Sequence, residues 1–338
     1  MTTSERISEG GCNERILVTG GLGFIGSNLT RYLHERYPEA IIYVLDKEDY
    51  CSSRCLITDL KRVIVRVVNL TDRKLLQSIL ALIMPTCVFH LAASSHVDNS
   101  FSDITGYVEN NVGSTVTLFE CIRELPIQPK VILHCSTDEV YGDNVTLNQM
   151  ADEQHPLQPT NPYSSSKAAA DMMVYSFISC WKMPVVIVRP NNCYGPQQYP
   201  EKAIPCFMRC VQKDRSMPLH GGGNTKRCFM YVGDTVRLMC AALSYGELGE
   251  IYNIGGGEES SISTLAARIA ALQPDYKCAP TKVEDRPYND GRYLITHERM
   301  QKLASDVYAN LTSLEEGLKL TWSWFCEHNV DDAVWPVA

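Results

Sequence analysis

Apolar and polar positions follow two periods through the first half of the chain. Short apolar runs with the length and β-branched content of buried strands occur near residues 15–20, 41–46, 63–68, 87–91, 130–136 and 184–189. Apolar positions spaced three and four residues apart predict helices over 24–36, 72–83, 105–124 and 162–180. Alternating strands and amphipathic helices form a parallel, doubly wound sheet. We therefore predict an α/β fold over residues 14–190.

The pattern changes after residue 190, where proline and glycine become frequent and the predicted strands are short. We expect residues 191–338 to form mainly a smaller substrate-binding lobe. A helix near 232–244 and a strand near 251–254 are expected to pack back on the first domain. The polar residues 1–13 are predicted to be disordered.

A glycine-rich turn lies between the first strand and the first helix. Gly20, Gly23 and Gly26 fit the turn of a Rossmann-type dinucleotide site, where backbone approaches a pyrophosphate at a helix N-terminus. Asp46 ends the next strand, 20 residues beyond Gly26, and can accept hydrogen bonds from an adenosine ribose. Its charge would repel a 2′-phosphate, which favours NAD over NADP, although the neighbouring Lys47 could partly offset that repulsion.

Two further motifs carry the chemistry. Tyr163 and Lys167 are spaced i, i+4, so a helix places both on one face, and the ammonium is expected to lower the pKa of the phenol. A tyrosinate can take the proton of an alcohol that loses hydride to a nicotinamide. Asp138 and Glu139 add an acid and a base, which an elimination of water requires.

Bulk properties exclude several other classes of protein. The 338 residues carry a formal charge of −8 without a basic stripe, which argues against nucleic acid as the main partner. No apolar run approaches the ~18 residues that span a membrane, and the N-terminus lacks the plan of a signal peptide. The 14 cysteines include no C-x-x-C pair and no zinc-ligand set, so no metal is expected. Many free thiols favour a reducing, cytoplasmic location.

At these motifs the chain resembles extended short-chain dehydrogenases/reductases, and within them the nucleotide-sugar 4,6-dehydratases. The resemblance runs from Arg15 to His328, and its most specific part is the Thr137-Asp138-Glu139 triplet. Residues 45–52 and 285–290 are more similar to the UDP-glucose enzymes of rhamnose synthesis than to the bacterial dTDP-glucose enzymes. UDP-glucose is therefore the expected substrate and dTDP-glucose the alternative. A UDP-sugar 4-epimerase or decarboxylase, and a non-catalytic NAD sensor, are further alternatives.

The resemblance implies a role for each matching residue. The expected catalytic residues are Thr137, Asp138, Glu139, Tyr163 and Lys167. The expected NAD-binding residues are Gly20, Gly23, Phe24, Ile25, Gly26, Asp46, Lys47, Asn69, Leu70, Leu91, Ala92, Ala93, Ser94 and Asn111, with Tyr163 and Lys167. Asn69 stands where the family usually has Asp, and an amide can still bind adenine. The expected substrate-binding residues are His96, Thr137, Asn192, Glu201, Lys202, His220, Arg227, Arg286 and Asn289.

The same resemblance implies a three-step reaction on one bound sugar. Tyr163 takes the C4 hydroxyl proton while hydride leaves C4, and Thr137 aligns that hydroxyl. Glu139 then removes the C5 proton, Asp138 protonates the departing C6 hydroxyl, and hydride returns to C6. The resemblance also implies a homodimer formed through helices near 105–124 and 162–180. A separate epimerase/reductase is expected to use the product, since no such segment is fused to this sequence.

Overall fold

The computed structural model describes residues 6–7, 14–143, 150–285 and 287–328. Its strands, in chain order, are β1 (Arg15–Thr19), β2 (Ile41–Asp46), β3 (Val63–Val67), β4 (Cys87–His90), β5 (Val131–Cys135), β6 (Val185–Pro190), β7 (Asn192–Tyr194), β8 (Pro218–His220), β9 (Lys226–Tyr231), β10 (Ile251–Ile254), β11 (Glu258–Ser261) and β12 (Thr281–Val283).

The helices, in chain order, are α1 (Phe24–Arg36), α2 (Arg73–Ile83), α3 (Val97–Ser102), α4 (Ile104–Tyr107), α5 (Ser114–Arg123), α6 (Pro162–Trp181), α7 (Ala203–Gln212), α8 (Val232–Tyr245), α9 (Ile262–Ala270), α10 (Glu298–Leu303), α11 (Ser305–Tyr308) and α12 (Leu314–His328). A π-helical segment, Val108–Gly113, joins α4 to α5. The predicted helix over 105–124 is therefore helical throughout, with one wider turn in its middle.

A seven-stranded sheet in the order β10-β6-β5-β4-β1-β2-β3 forms the centre of the molecule. Every pairing in it is parallel, and β10 lies beside β6 with Ile251 opposite Ile187. The predicted α/β class with a Rossmann-type sheet is confirmed. The strand near 251–254 thus extends the first domain's sheet, since its backbone pairs with β6 and all four of its residues are buried.

Helices cover both faces of this sheet. On one face, α2, α5 and α6 pack over a core that includes Leu17, Val88 and Ile132. On the other face, α1, α8 and α10 cover a core that includes Ile16 and Phe89. Both faces are apolar because a parallel sheet is buried on both sides. Each such side chain contributes about 1.5–3 kcal/mol on full burial.

The smaller lobe has its own core beside the carboxyl ends of the strands. Two short sheets, β11-β9-β7 and β12-β8, pack with α7, α9 and α12. Phe207, Leu265, Leu318 and Phe325 are buried there. Since β7 and β9 follow β6 and precede α8, the lobe is attached to the first domain at several points along the chain.

Two residues of the N-terminal segment differ from the expectation of disorder. Ile7 is fully buried in the core on the α1 and α8 side. Arg6 Nη1 donates to the carbonyl oxygens of Leu243 at 3.0 Å and Gly246 at 2.6 Å. A cation is favourable at the last carbonyls of a helix, and this contact explains why Arg6 docks at the end of α8. Residues 1–5 and 8–13 lie outside the described residues.

Over the described ranges, none of the helices combines the length and the apolar character needed to cross a bilayer. In the same ranges, no group of three or more His, Cys, Asp or Glu side chains is arranged to hold a metal ion. The cysteines that the structure describes are all free thiols.

Candidate active site

A cavity of about 970 Å³ lies between the carboxyl ends of the sheet strands and the smaller lobe. It is centred where the strand order reverses, between β1 and β4. Ligands of doubly wound folds bind at this switch point, because the loops from neighbouring strands diverge there and leave a crevice. Apart from Asn111 and Arg286, every predicted site residue lines this one cavity.

The glycine turn forms one end of the cavity. A Cβ on Gly26 would lie 2.1 Å from the carbonyl oxygen of Gly20, so this position admits no side chain. A Cβ on Gly23 would meet only that same oxygen, at 3.4 Å, and would otherwise project into open space. The first turn of α1 is therefore accessible to an anion, as a dinucleotide pyrophosphate requires. This cradle fits NAD.

Asp46 is buried at the end of β2. Its Oδ2 accepts from the Leu22 amide at 3.0 Å, and Oδ1 accepts from the Glu48 amide and Ser52 Oγ, both at 2.9 Å. Burial raises the pKa of this carboxyl from its usual value, while those hydrogen bonds oppose the rise.

The Lys47 ammonium lies 2.8 Å from the carboxylate of Asp49. Because Lys47 is paired with Asp49, its ammonium offsets the charge of Asp46 less than an unpaired cation would. The local field at the adenosine ribose therefore favours NAD, as the position of Asp46 predicted.

Asn111 supports the cavity wall from behind. Its Oδ1 accepts from the Ser94 amide at 2.7 Å, and its Nδ2 donates to the Ser94 carbonyl at 3.0 Å and to Ser166 Oγ at 2.9 Å. The side chain lies in the π-helical segment, fully enclosed. The structure thus places Asn111 where it holds the loop after β4 against α6, and only Ser94 of that group reaches the cavity.

The Thr137-Asp138-Glu139 triplet begins a 3₁₀ turn directly after β5. Both carboxylic side chains are buried. Asp138 Oδ2 accepts from Asn191 Nδ2 at 2.7 Å, and Oδ1 accepts from Thr137 Oγ1 at 3.3 Å. Burial, followed by the charge of Glu139, raises the pKa of Asp138 to about 7. This carboxyl can therefore carry a proton near neutral pH.

Glu139 has a different environment. Burial raises its pKa, but the positive charges of Arg227 and Lys202 counteract that rise. Arg227 also lowers the pKa of Asp138, but Lys202 does not contribute there, and the neighbouring carboxylate of Glu139 raises it. Neighbouring residues of one turn thus face different surroundings, and this favours a protonated Asp138 beside an ionised Glu139.

Tyr163 and Lys167 lie one turn apart on α6, close to its N-terminus. A reciprocal pair of hydrogen bonds between Asn161 and Ser164 caps this helix and fixes where Tyr163 projects. Both side chains are buried, and Lys167 Nζ donates to the Cys135 carbonyl at 2.7 Å. The helix therefore brings the pair to the end of β5, beside the Thr137 triplet.

The predicted lowering of the Tyr163 pKa is wrong for the protein's own groups. Burial and the carboxylate of Glu139 raise the pKa of this phenol well above its usual value, and the hydrogen bond from Thr137 opposes them only in part. Burial also lowers the pKa of Lys167. The i, i+4 spacing identified the pair but could not reveal the two carboxylates that the fold places next to it.

The predicted substrate residues that the structure describes line the same cavity. The His96 ring lies 3.8 Å from the Asp98 carboxylate and 3.7 Å from that of Glu201. Lys202 Nζ donates to the Ser95 carbonyl at 2.8 Å. The remaining predicted substrate residues on the wall are Asn192, His220, Arg227 and Asn289. Arg286 lies outside the described residues.

Several cavity residues were not singled out from the sequence. Tyr50 donates from its hydroxyl to the Glu201 carboxylate at 3.0–3.1 Å and joins the loop after β2 to the loop before α7. Tyr293 and Asp290 lie beside Glu139. Asp290 and Tyr50 belong to the segments 285–290 and 45–52 that carry the resemblance, and Asn191 precedes the predicted Asn192, so these three had a usable signal. Tyr293 carries no such signal, because only the tertiary structure brings it to the site.

Comparison with known proteins agrees with this geometry. Residues 16–255 match the model of the NAD dependent epimerase/dehydratase family. A human dTDP-D-glucose 4,6-dehydratase is 38% identical, over 97% of this chain and 95% of its own length. An Arabidopsis thaliana trifunctional enzyme, named first as a UDP-glucose 4,6-dehydratase, is 35% identical over 93% of this chain. The match spans 47% of that longer protein.

Among solved structures, the Streptomyces venezuelae dTDP-glucose 4,6-dehydratase DesIV, determined with NAD bound, superposes with a TM-score of 0.86. It is 33% identical, and the match covers 93% of this chain and 98% of that one. The chain belongs to the NAD dependent epimerase/dehydratase family. It is thus an NAD-dependent enzyme of the extended short-chain dehydrogenase/reductase type, as its motifs indicated.

Proposed function

We propose that this protein is a nucleotide-sugar 4,6-dehydratase that converts nucleoside-diphosphoglucose to its 4-keto-6-deoxy derivative. The observation that carries the proposal is the pair Asp138 and Glu139, adjacent, buried and differently surrounded, beside Tyr163 and Lys167. Oxidation of an alcohol alone requires only the Tyr/Lys pair. An acid and a base held next to that pair are what elimination of water needs in addition.

In the first step, Tyr163 accepts the proton of the C4 hydroxyl. NAD held at the glycine turn would supply the hydride acceptor for this oxidation and the hydride donor for the later reduction at C6. Lys167, held by the Cys135 carbonyl, stabilises the phenolate. Thr137, which hydrogen-bonds Tyr163, is in position to align the same sugar hydroxyl.

In the second step, the C4 ketone makes the C5 hydrogen acidic. Glu139 takes that proton, and the electron pair left on C5 forms a double bond to C6. Asp138 donates a proton to the departing C6 oxygen, which leaves as water. Asn191 holds Asp138 Oδ2 at 2.7 Å and so fixes the direction of its carboxyl group.

The substrate's diphosphate requires positive charge at the far end of the cavity. Arg227 and Lys202 supply it, and Asn192, His220 and Asn289 line the wall around them. Arg286 is assigned to the nucleotide by its motif alone. His96 and Glu201 are assigned to the sugar end, where they lie 3.7 Å apart.

UDP-glucose is the substrate that residues 45–52 and 285–290 favour. dTDP-glucose is the second candidate, because the human relative named for it is 38% identical and the plant relative named for UDP-glucose is 35% identical.

We further propose that the protein is a cytoplasmic homodimer and that a separate enzyme epimerises and reduces the 4-keto product.

Mass spectrometry of each nucleotide sugar, incubated separately with the purified protein and NAD⁺, tests the proposal. Loss of one water from either sugar without net NADH is expected, and the two rates rank the bases. The matched control is Tyr163→Phe, which should abolish the mass change while NAD still binds. An unchanged mass with conversion to the 4-epimer would establish an epimerase instead. No turnover of either sugar would contradict the proposal.

A further inference from the structure

A hydroxyl group lies directly behind the Glu139 carboxylate. The Tyr293 oxygen is 3.4 Å from Glu139 Oε2 and contacts Asp290 Oδ2 more closely. All three side chains are buried. Tyr293 therefore lies between two carboxylates on the cavity wall, and the proposed mechanism assigns it no role.

Asp290 is held so that its carboxylate faces Tyr293. Thr160 Oγ1 lies 2.7 Å from Oδ1 and 2.8 Å from Oδ2 of Asp290. Arg227 Nη2 donates to the Asp290 backbone carbonyl at 2.8 Å. The loop itself is anchored at its next residue, because the Lys226 amide donates to the Gly291 carbonyl at 2.9 Å. These hydrogen bonds therefore hold the Asp290 carboxylate, the acceptor beside Tyr293, in one position.

The Tyr293 ring is fixed as well. The Arg227 guanidinium carbon lies 4.4 Å from the ring centre, which is a cation–π contact. Tyr293 is 3% exposed, so the ring has little freedom to turn its hydroxyl elsewhere. Only the direction of the Tyr293 O–H bond is then left to vary, and the carboxylates of Glu139 and Asp290 compete for its hydrogen.

One hydroxyl hydrogen can form a strong bond to only one of these carboxylates. The closer contact is to Asp290, so the hydrogen belongs to that bond, and the Tyr293 oxygen turns a lone pair toward Glu139. A lone pair beside an ionised carboxylate is unfavourable, whereas a protonated carboxyl can donate to it. Tyr293 therefore favours the form of Glu139 that exists after proton abstraction.

We propose that Tyr293 and Asp290 are positioning residues that make Glu139 a stronger base for the elimination step. The inference rests on the proposed function. The proton leaves C5 for the Glu139 carboxyl, the C5–H electron pair forms the C5–C6 double bond, and the C6 oxygen leaves with a proton from Asp138. Tyr293 keeps its own proton throughout, bonded to Asp290, and both residues act through Glu139.

The other charged and titratable groups around Glu139 shift its pKa in opposite directions. Asp290 raises the pKa of Glu139, in agreement with the inference. The opposing groups are Arg227 and Lys202, and the side chain of Asn161 also hydrogen-bonds the carboxylate. Among the described residues, Asp138 and Tyr163 are further titratable neighbours. Removal of Tyr293 or of the Asp290 charge takes away a contribution that raises the pKa of Glu139 and leaves the opposing cations in place, so this pKa should fall.

The experiment compares Tyr293→Phe with wild type in single turnovers, following NADH formation and water loss separately. The variant should slow water loss about tenfold, equivalent to about 1.4 kcal/mol, while C4 oxidation changes little, so NADH accumulates. The acid limb of the rate of water loss should move to lower pH, because a weaker base remains ionised at lower pH. Tyr245→Phe, at the surface end of α8, is the matched control and should behave as wild type.

Asp290→Asn keeps the Tyr293 ring and carries the same test if Tyr293→Phe fails to fold. It should also shift the acid limb to lower pH and increase the isotope effect with C5-deuterated sugar, since proton abstraction becomes slower. An acid limb that stays in place or moves to higher pH would overturn the inference, as would equal slowing of both steps. Failure of the proposed function is distinguishable, since wild type would then release no water.

Discussion

The two ends of the cavity are built in different ways. The phosphate cradle at the cofactor end is formed by one continuous stretch, Gly20 to Gly26, with Asp46 at the end of the adjacent strand. The substrate end gathers Glu139, Arg227 and Tyr293, which are far apart in the chain. A phosphate cradle needs only backbone geometry, which a few glycines specify locally. Elimination of water needs tuned acids and bases, and only distant neighbours can tune them.

The largest expected effect tests the substrate end. Glu139→Gln keeps the shape of the side chain but cannot accept a proton, so water loss should fall by about 10²–10⁴-fold. Oxidation at C4 should continue, and NADH should accumulate on the protein in a single turnover. Absorbance of NADH and mass spectrometry of the sugar measure the two steps. Glu250→Gln removes a surface ion pair with Arg299 and serves as the control. Normal dehydration by Glu139→Gln would remove Glu139 from the mechanism.

Two glycine variants test the cofactor end. Gly26→Ala places a Cβ 2.1 Å from the Gly20 oxygen, so the turn must open. Overpacking of this kind costs about 1–3 kcal/mol, and both thermal stability and NAD affinity should fall. Gly23→Ala meets no atom closer than 3.4 Å, so it should lower NAD affinity with little loss of stability.

Thermal melts with and without NAD measure both effects of the glycine variants. Wild-type NAD affinity in Gly23→Ala would show that the open face of the turn is not where the pyrophosphate lies.

A smaller effect is expected from pH. Asp138 has a pKa raised to about 7, and its proposed active form is protonated. Water loss should therefore fall as pH rises through 7, by about tenfold per unit once most of the acid is ionised. Binding of NAD, at the other end of the cavity, should not follow this limb. A rate of water loss that stays level from pH 7 to pH 9 would contradict the role of Asp138.

The motifs predicted from the sequence all reach the cavity wall, except Asn111 and the undescribed Arg286. The prediction for the Tyr163 pKa was wrong, because spacing along a helix reveals the neighbour at i+4 and not the carboxylates of the 3₁₀ turn after β5. The prediction of a disordered N-terminal segment did not foresee the contacts of Arg6 and Ile7, for a similar reason. A polar N-terminal composition does not show that Ile7 finds an apolar site between helices distant in sequence.

Local physical chemistry determined the fold class, the glycine cradle and the catalytic residue types, because hydrophobic period and motif spacing act over a few residues. The tertiary structure decided which protonation state each catalytic side chain prefers. Burial and long-range charge set the protonation of Asp138, Glu139 and Tyr163, and these depend on residues such as Arg227 and Tyr293. Electrostatic energies in a buried site depend on distances through space, and a sequence does not contain those distances until it is folded.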